Sequence, residues 1–257
     1  VARRGGADAG EAGRVTMAKR PLLVGNWKMH GDGGDLAVIV AIGEAAQRHP
    51  AVDVALCVPA TLIDRARGVS WGLAIGGQDC HAEPNGAHTG DISASMLREA
   101  GASLVLLGHS ERRHDHHEDD ALIAAKLRAA RAAGLEVVLC VGETAEDHAA
   151  GRSAQVVREQ LARSLAGMNG QGIAIAYEPV WAIGGDRTPD PAEVAAMAGL
   201  IRDTASGIRV LYGGSVTPDN GAALFEEGGI DGFLVGRQSL DAEAFTAILE
   251  LMDAATR

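Results

Sequence analysis

Residues 173–202 read IAIAYEPVWAIGGDRTPDPAEVAAMAGLIR. Ile173–Tyr177 is an uninterrupted apolar run of strand length, as a parallel strand buried on both faces requires. Asp190-Pro191-Ala192-Glu193 then spells a helix start: an N-cap carboxylate, proline at the first helical position and glutamate at N3. Val194, Met197, Ala198 and Ile201 follow at i, i+3, i+4 and i+7, which puts one apolar stripe on one face. The stretch is one strand–loop–helix unit, with its polar and glycine residues in the loop after the strand.

The same unit recurs along the chain. Apolar runs stand at Leu22–Val24, Val52–Val58, Leu73–Ile75, Ser103–Leu107, Leu135–Val141, Ile173–Tyr177, Ile208–Leu211 and Ile230–Val235. Helical patterns separate them. Asp119 and Asp120 open one, with Ile123, Leu127 and Ala130 in phase and Gly134 just past its end. The last carries Phe245, Ile248, Leu249 and Met252 in one phase. Eight strand–helix repeats in about 240 residues predict an α/β fold, a single (β/α)8 barrel over residues 21–257. The alternative, an open doubly wound sheet, usually has G-x-G-x-x-G after its first strand. Here the first strand runs into Gly25-Asn26-Trp27-Lys28, and no Walker-type phosphate loop is present.

Composition removes other classes. Hydrophobic residues at 47% against 22% charged exclude a mainly disordered chain. No apolar run reaches the roughly 18 residues of a membrane helix. Cys57, Cys80 and Cys140 are far apart with no C-x-x-C pair, which predicts free thiols in a reducing, cytoplasmic compartment. A net charge of −11 repels nucleic acid and anionic lipid, so neither is expected as a partner. Residues 1–20 read as a disordered tail ahead of the barrel, or as sequence upstream of a start at Met17. Val1–Thr16 lacks the apolar core of a secretory signal, and Asp8 and Glu11 count against a transit peptide.

In such barrels the active site lies at the C-terminal ends of the strands. Asn26 and Lys28 follow the first strand, His109 the fourth and Glu178 the sixth. Gly184-Gly185, Gly213-Gly214-Ser215 and Gly236 follow the sixth, seventh and eighth, where bare backbone N–H groups cradle phosphate. Singly, the glutamate reads as an ion-pair partner, the lysine as a solvated cation and the histidine as a structural side chain. Together at one barrel end they suit proton abstraction beside a carbonyl in a small phosphorylated sugar.

Five motifs carry a resemblance that runs from about Pro21 to Met252. They are Gly25-Asn26-Trp27-Lys28-Met29, Gly108-His109-Ser110-Glu111-Arg112-Arg113, Ala176-Tyr177-Glu178-Pro179-Val180-Trp181-Ala182-Ile183-Gly184, Tyr212-Gly213-Gly214-Ser215-Val216 and Asp231-Gly232-Phe233-Leu234-Val235-Gly236. In this order and spacing the chain resembles the triosephosphate isomerases. The resemblance implies interconversion of dihydroxyacetone phosphate and D-glyceraldehyde 3-phosphate through an enediolate, in glycolysis and gluconeogenesis, without metal or cofactor. It implies that Glu178 is the base, that a neutral His109 polarises the carbonyl, and that Lys28 stabilises the enediolate, with Glu111 as its acidic partner. It implies that Asn26 places oxygens, and that Gly184, Ser215 and Gly236 donate to phosphate. Pro179–Pro189 resembles a closing lid anchored by Trp181. The loop from Gln78 to Asp91 resembles one that inserts into a second subunit, bringing Thr89 towards Asn26, which implies a homodimer.

Two departures stand out. Arg237 follows Gly236 where the family commonly has a second glycine. Its side chain either hinders the phosphate, adds a charged contact, or turns outward and leaves the backbone N–H in use; the last is expected. In the lid, Ile183-Gly184-Gly185-Asp186 replaces a common Ile-Gly-Thr-Gly, and Pro189 stands where many members bond a backbone N–H to the tyrosine matching Tyr212. Proline has no N–H, so an altered lid balance is expected. His114 to Asp120 is rich in histidine and acid, but its histidines lack ligand spacing and no metal is expected. Cys140 and Glu143 read as structural. Two rivals remain from the sequence: an isomerase of a four-carbon keto-sugar phosphate, and a barrel that binds phosphate without catalysis.

Overall fold

The structure, a computed structural model, describes residues 20–183 and 188–256. Eight parallel strands, β1 Leu22–Asn26, β2 Asp53–Cys57, β3 Ala74–Gly77, β4 Leu104–Leu107, β5 Glu136–Val141, β6 Ile173–Tyr177, β7 Arg209–Gly214 and β8 Gly232–Val235, close into a barrel in sequence order. β1 pairs with β8 from Leu22↔Gly232 to Gly25↔Val235, which leaves no sheet edge. Around it lie α1 Leu36–Arg48, α2 Ile63–Val69, α3 Ala94–Glu99, α4 Ser110–Asp115, α5 Asp120–Ala132, α6 Ala145–Ala149, α7 Ser153–Ser164, α8 Pro191–Thr204, α9 Pro218–Glu227 and α10 Ala242–Ala255. The expected (β/α)8 barrel is the fold.

The caps stand where the sequence writes them. Asp190 and Glu193 form the capping box of α8, and Asp119 caps α5 through the Leu122 N–H. Val194, Met197, Ala198 and Ile201 are the buried face of α8. Among the described residues no helix is long and apolar enough to cross a membrane.

Strand alternation divides the core in two. Leu23, Leu56, Val105, Val137, Ile175 and Phe233 face the helices. Leu22, Val24, Ala74, Leu104, Leu106, Val138, Ala174, Ala176, Leu211 and Leu234 fill the barrel interior. The interior carries no aromatic ring, as its narrow axis demands. The two-residue period continues past the apolar runs. Leu22, Val24 and then Asn26 share one phase; so do Ala174, Ala176 and then Glu178. Both polar side chains therefore sit over the barrel axis at its C-terminal mouth.

The opposite end is closed by charge. Arg209, at the start of β7, donates to Asp53 of β2 at 2.9 Å, and Arg20 pairs with the same carboxylate at 2.6 Å. Burial pushes the Asp53 carboxyl up, against the pull of Arg209 and Arg20. On the barrel's flank, Lys126 of α5 is buried between Glu118 at 2.6 Å and Asp79 at 2.7 Å, which ties the loop after β3 to α5. A neighbouring cavity of about 510 Å3 is lined by Asp79, Arg112, Glu118 and Lys126, among others.

Candidate active site

A cleft of about 400 Å3 opens at the C-terminal mouth, within the range of small-ligand sites. Asn26, Lys28, His109, Glu178, Ser215, Gly236 and Arg237 all line it. Gly184, the remaining predicted contact, lies outside the described residues.

Glu178 is buried, and its carboxylate is held at both oxygens. The Ser110 N–H donates to Oε2 at 3.1 Å, and His109 Nε2 lies 3.2 Å from Oε1. Two glycines make the space. A Cβ at Gly142 would overlap the Glu178 carbonyl oxygen, and one at Gly213 would lie 2.9 Å from Glu178 Cγ. The backbone is fixed as well, because the Glu178 N–H donates to the Val141 carbonyl at 2.7 Å.

His109 is the N-cap of α4. Its Nδ1 accepts the Glu111 N–H at 3.3 Å. A nitrogen that accepts carries a lone pair, so the imidazole is neutral and its proton is on Nε2. Nε2–H points at Glu178 and into the cleft. The helix N-terminus thus sets the tautomer, and that tautomer makes the ring a donor towards the space above it.

Lys28 has left-handed backbone, φ 53°, steadied by its own N–H donating to Asn26 Oδ1 at 2.9 Å. Its ammonium pairs with Glu111 Oε1 at 2.5 Å. Its stem passes the glycine turn after β8: a Cβ at Gly236 would lie 3.7 Å from Lys28 Cε. Gly236 in turn caps the short 3-10 turn Arg237–Leu240, with Arg237 exposed at its start. Ser215 Oγ donates to the Ala182 carbonyl at 3.3 Å, joining the loop after β7 to the turn after Glu178. One region thus presents a buried carboxylate, a neutral N–H donor and an ammonium, with glycine-rich turns after β7 and β8.

The sequence model of the triosephosphate isomerase family matches residues 21–252. The chain belongs to the triosephosphate isomerase family. It is 48% identical over 249 residues to the triosephosphate isomerase of Ruegeria pomeroyi, covering 92% of this chain and 99% of that one. Against that of Xanthobacter flavus it is 49% identical over 247 residues, covering 91% and 98%. A crystal structure of the triosephosphate isomerase from Bartonella henselae superposes with a TM-score of 0.83 at 41% identity, over 90% of this chain and 98% of that one. The activity is that of a triosephosphate isomerase, an aldose–ketose isomerase, and its substrates are triose phosphates.

Several supports of this triosephosphate isomerase site were not visible in the sequence. Ser239 is buried beneath it, accepting from Trp27 Nε1 at 2.9 Å through its carbonyl and donating its hydroxyl to the Gly236 carbonyl at 2.7 Å. Glu143, read from sequence as structural, is fully buried and binds both Tyr177 and Trp181. Burial and the Glu143 charge push the Tyr177 hydroxyl up. Cys140 is buried, its thiol pushed well up by burial and then by the Glu178 carboxylate.

The acidic and histidine-rich stretch is taken apart by the fold. Asp119 caps α5, Asp120 pairs with Arg113 at 2.7 Å, and Glu118 binds Lys126 and Arg112. Among the described residues, His81, His88 and Asp91 come together instead. The Glu83 N–H donates to His81 Nδ1 at 3.0 Å, so the ring proton is on Nε2, 3.6 Å from Asp91 Oδ2. A metal would need a lone pair there.

Proposed function

We propose that Glu178 is the base that moves a proton between the two carbons of the enediolate, and that His109 is the donor that polarises the carbonyl. The 3.2 Å approach of His109 Nε2 to Glu178 Oε1 at the cleft floor carries this reading. A base and a neutral donor that meet in one place serve a carbon and its attached oxygen in one substrate. Lys28 stabilises the enediolate charge, and Asn26 orients its oxygens while fixing the Lys28 backbone. Backbone N–H groups at Gly184, Ser215 and Gly236 hold the phosphate, with the Arg237 side chain directed to solvent. The segment Pro179–Pro189, of which residues 184–187 lie outside those described, is proposed to close over the bound substrate and exclude water.

Glu178→Gln tests the base. Turnover of glyceraldehyde 3-phosphate should fall by about a thousandfold or more, while inorganic phosphate still competes as before. A variant that keeps a tenth of the parent's turnover overturns the assignment. The four-carbon rival rests on Arg237 and the altered lid; parallel assays with triose and tetrulose phosphates separate them.

The enzyme is proposed to work as a homodimer. Met29 is 95% exposed beside Lys28, and Ile92 and Met96 are exposed after the loop Gln78–Asp91. Apolar side chains exposed on both segments support burial against a second copy, in which Thr89 approaches Asn26. A sedimentation mass of one chain at micromolar concentration rules this out.

A further inference from the structure

We infer that His148 is a positioning residue of the isomerase: its imidazolium form tightens the clamp on the turn that joins Glu178 to the lid. The inference rests on the proposed role of that segment.

The turn Val180–Ala182 begins two residues after Glu178 and is gripped at three points. The Val180 N–H donates to the Glu143 carbonyl at 3.1 Å, Trp181 Nε1–H to Glu143 Oε1 at 2.7 Å, and Ser215 Oγ to the Ala182 carbonyl at 3.3 Å. Glu143 is therefore the post to which the turn is tied. His148, on α6, covers that tie from outside. Its ring stacks on the Trp181 indole, centroids 4.2 Å apart and planes 26° apart, and its Nδ1 lies 3.8 Å from Glu143 Oε1.

The Glu143 carboxylate is fully buried. Its Oε1 takes two neutral donors, Tyr177 and Trp181, while Oε2 has no hydrogen-bond partner among the described residues. A cation 3.8 Å away compensates that charge, and the same cation over an indole face adds a cation–π attraction. A neutral imidazole does neither. Among the described residues, the other polar groups facing this ring are the Ser153 hydroxyl at 3.5 Å from Nδ1 and, at the α6–α7 corner, Asp147, already paired with Arg152 at 2.8 Å. Gain or loss of a proton on this ring therefore sets the strength of the clamp.

The test compares the parent enzyme with His148→Phe, which keeps a stacking ring without a charge, and His148→Gln, which keeps neither. Two readouts are followed from pH 5.5 to 8.5. The first is tryptophan emission, with Trp181→Phe used to assign the signal; an imidazolium against the indole should quench it on acidification, in the parent only. The second is the ratio of parent to variant turnover. A tighter clamp slows movement of the lid, so this ratio should fall about two- to fivefold from pH 8 to 5.5, with KM ratios unchanged. A ratio that is flat or rises on acidification, or identical emission titrations in parent and His148→Phe, overturns the inference. Emission that titrates through His148 in an enzyme whose Pro179–Pro189 segment proves immobile would instead sink the lid reading and leave the His148–Trp181 coupling standing.

Discussion

Gly213→Ala is a sharp probe of the proposed base, because one methyl group would press on it from below. The added Cβ would lie 2.9 Å from Glu178 Cγ and 3.5 Å from Oε1. Carbon pairs rest at about 3.5–4.0 Å, so Cγ must move by about 0.6–1 Å. The methyl would also be in ordinary contact with Leu234 Cβ at 3.6 Å. Gly213 is not among the glycines with positive φ, so alanine brings no backbone strain. The carboxylate is thus pushed off its contacts with His109 and the Ser110 N–H in a protein that otherwise folds normally. Misplacing a reacting group by about 1 Å costs on the order of a hundredfold. Turnover should fall about ten- to a hundredfold, with KM changed less than about threefold because Ser215 and Gly236 are untouched. The assay is coupled turnover of glyceraldehyde 3-phosphate beside urea unfolding and phosphate inhibition. Turnover within threefold of the parent, with unchanged unfolding, would mean that the position of Glu178 is not set by this contact.

Pro189→Ala restores a backbone N–H near the end of the lid, and turnover or inhibitor affinity should shift about two- to tenfold; kinetics equal to the parent's in both refute the lid argument. The Tyr212 hydroxyl is buried with no hydrogen-bond partner among the described residues, so Tyr212→Phe should cost less than about 0.5 kcal/mol in urea unfolding or add stability. Lys126→Met removes one of the two cations, Lys126 and Arg112, that hold Glu118 and Asp79, and a loss of up to about 3–5 kcal/mol is expected by the same measurement; a loss below about 1 kcal/mol counts against the network. All three thiols are buried, and burial followed by the Asp79 charge pushes Cys80 up to about 12. A disulfide reagent at pH 8 should therefore label none of them in the native enzyme and all three in guanidinium; rapid labelling of one in the native state contradicts this burial.

The barrel was legible because parallel strands buried on both faces leave continuous apolar runs. Ile173–Tyr177 was read to the residue. β1 and β7 ran further than their apolar runs, through Gly25-Asn26 and Tyr212-Gly213-Gly214, because the backbone ladder continues after hydrophobicity stops. Asn26, Lys28, His109 and Glu178 were legible as polar residues at strand ends, and the cleft brings them together. What the sequence hid has no side-chain signature or depends on distant partners. The Ser110 N–H on Glu178 is backbone, the role of Gly142 is an absence of atoms, and Ser239 looks like any surface serine until the fold puts it under Trp27. His148 sits in a run of helix-forming residues, and only the meeting of α6 with the turn after β6 gives it a neighbour.

Glu178 continues the inward file of Ala174 and Ala176, whereas Ser215 and Gly236 stand on connections beyond the strands. The carboxylate proposed as the base is therefore part of the barrel's own stack of side chains, while the turns proposed to hold the phosphate are outside it. On that proposal, reactivity and selectivity are heritable apart. Drift in the outer connections can retune which sugar phosphate is accepted without disturbing the proton transfer, whereas enlarging Ala176 would jeopardise the chemistry for every substrate at once.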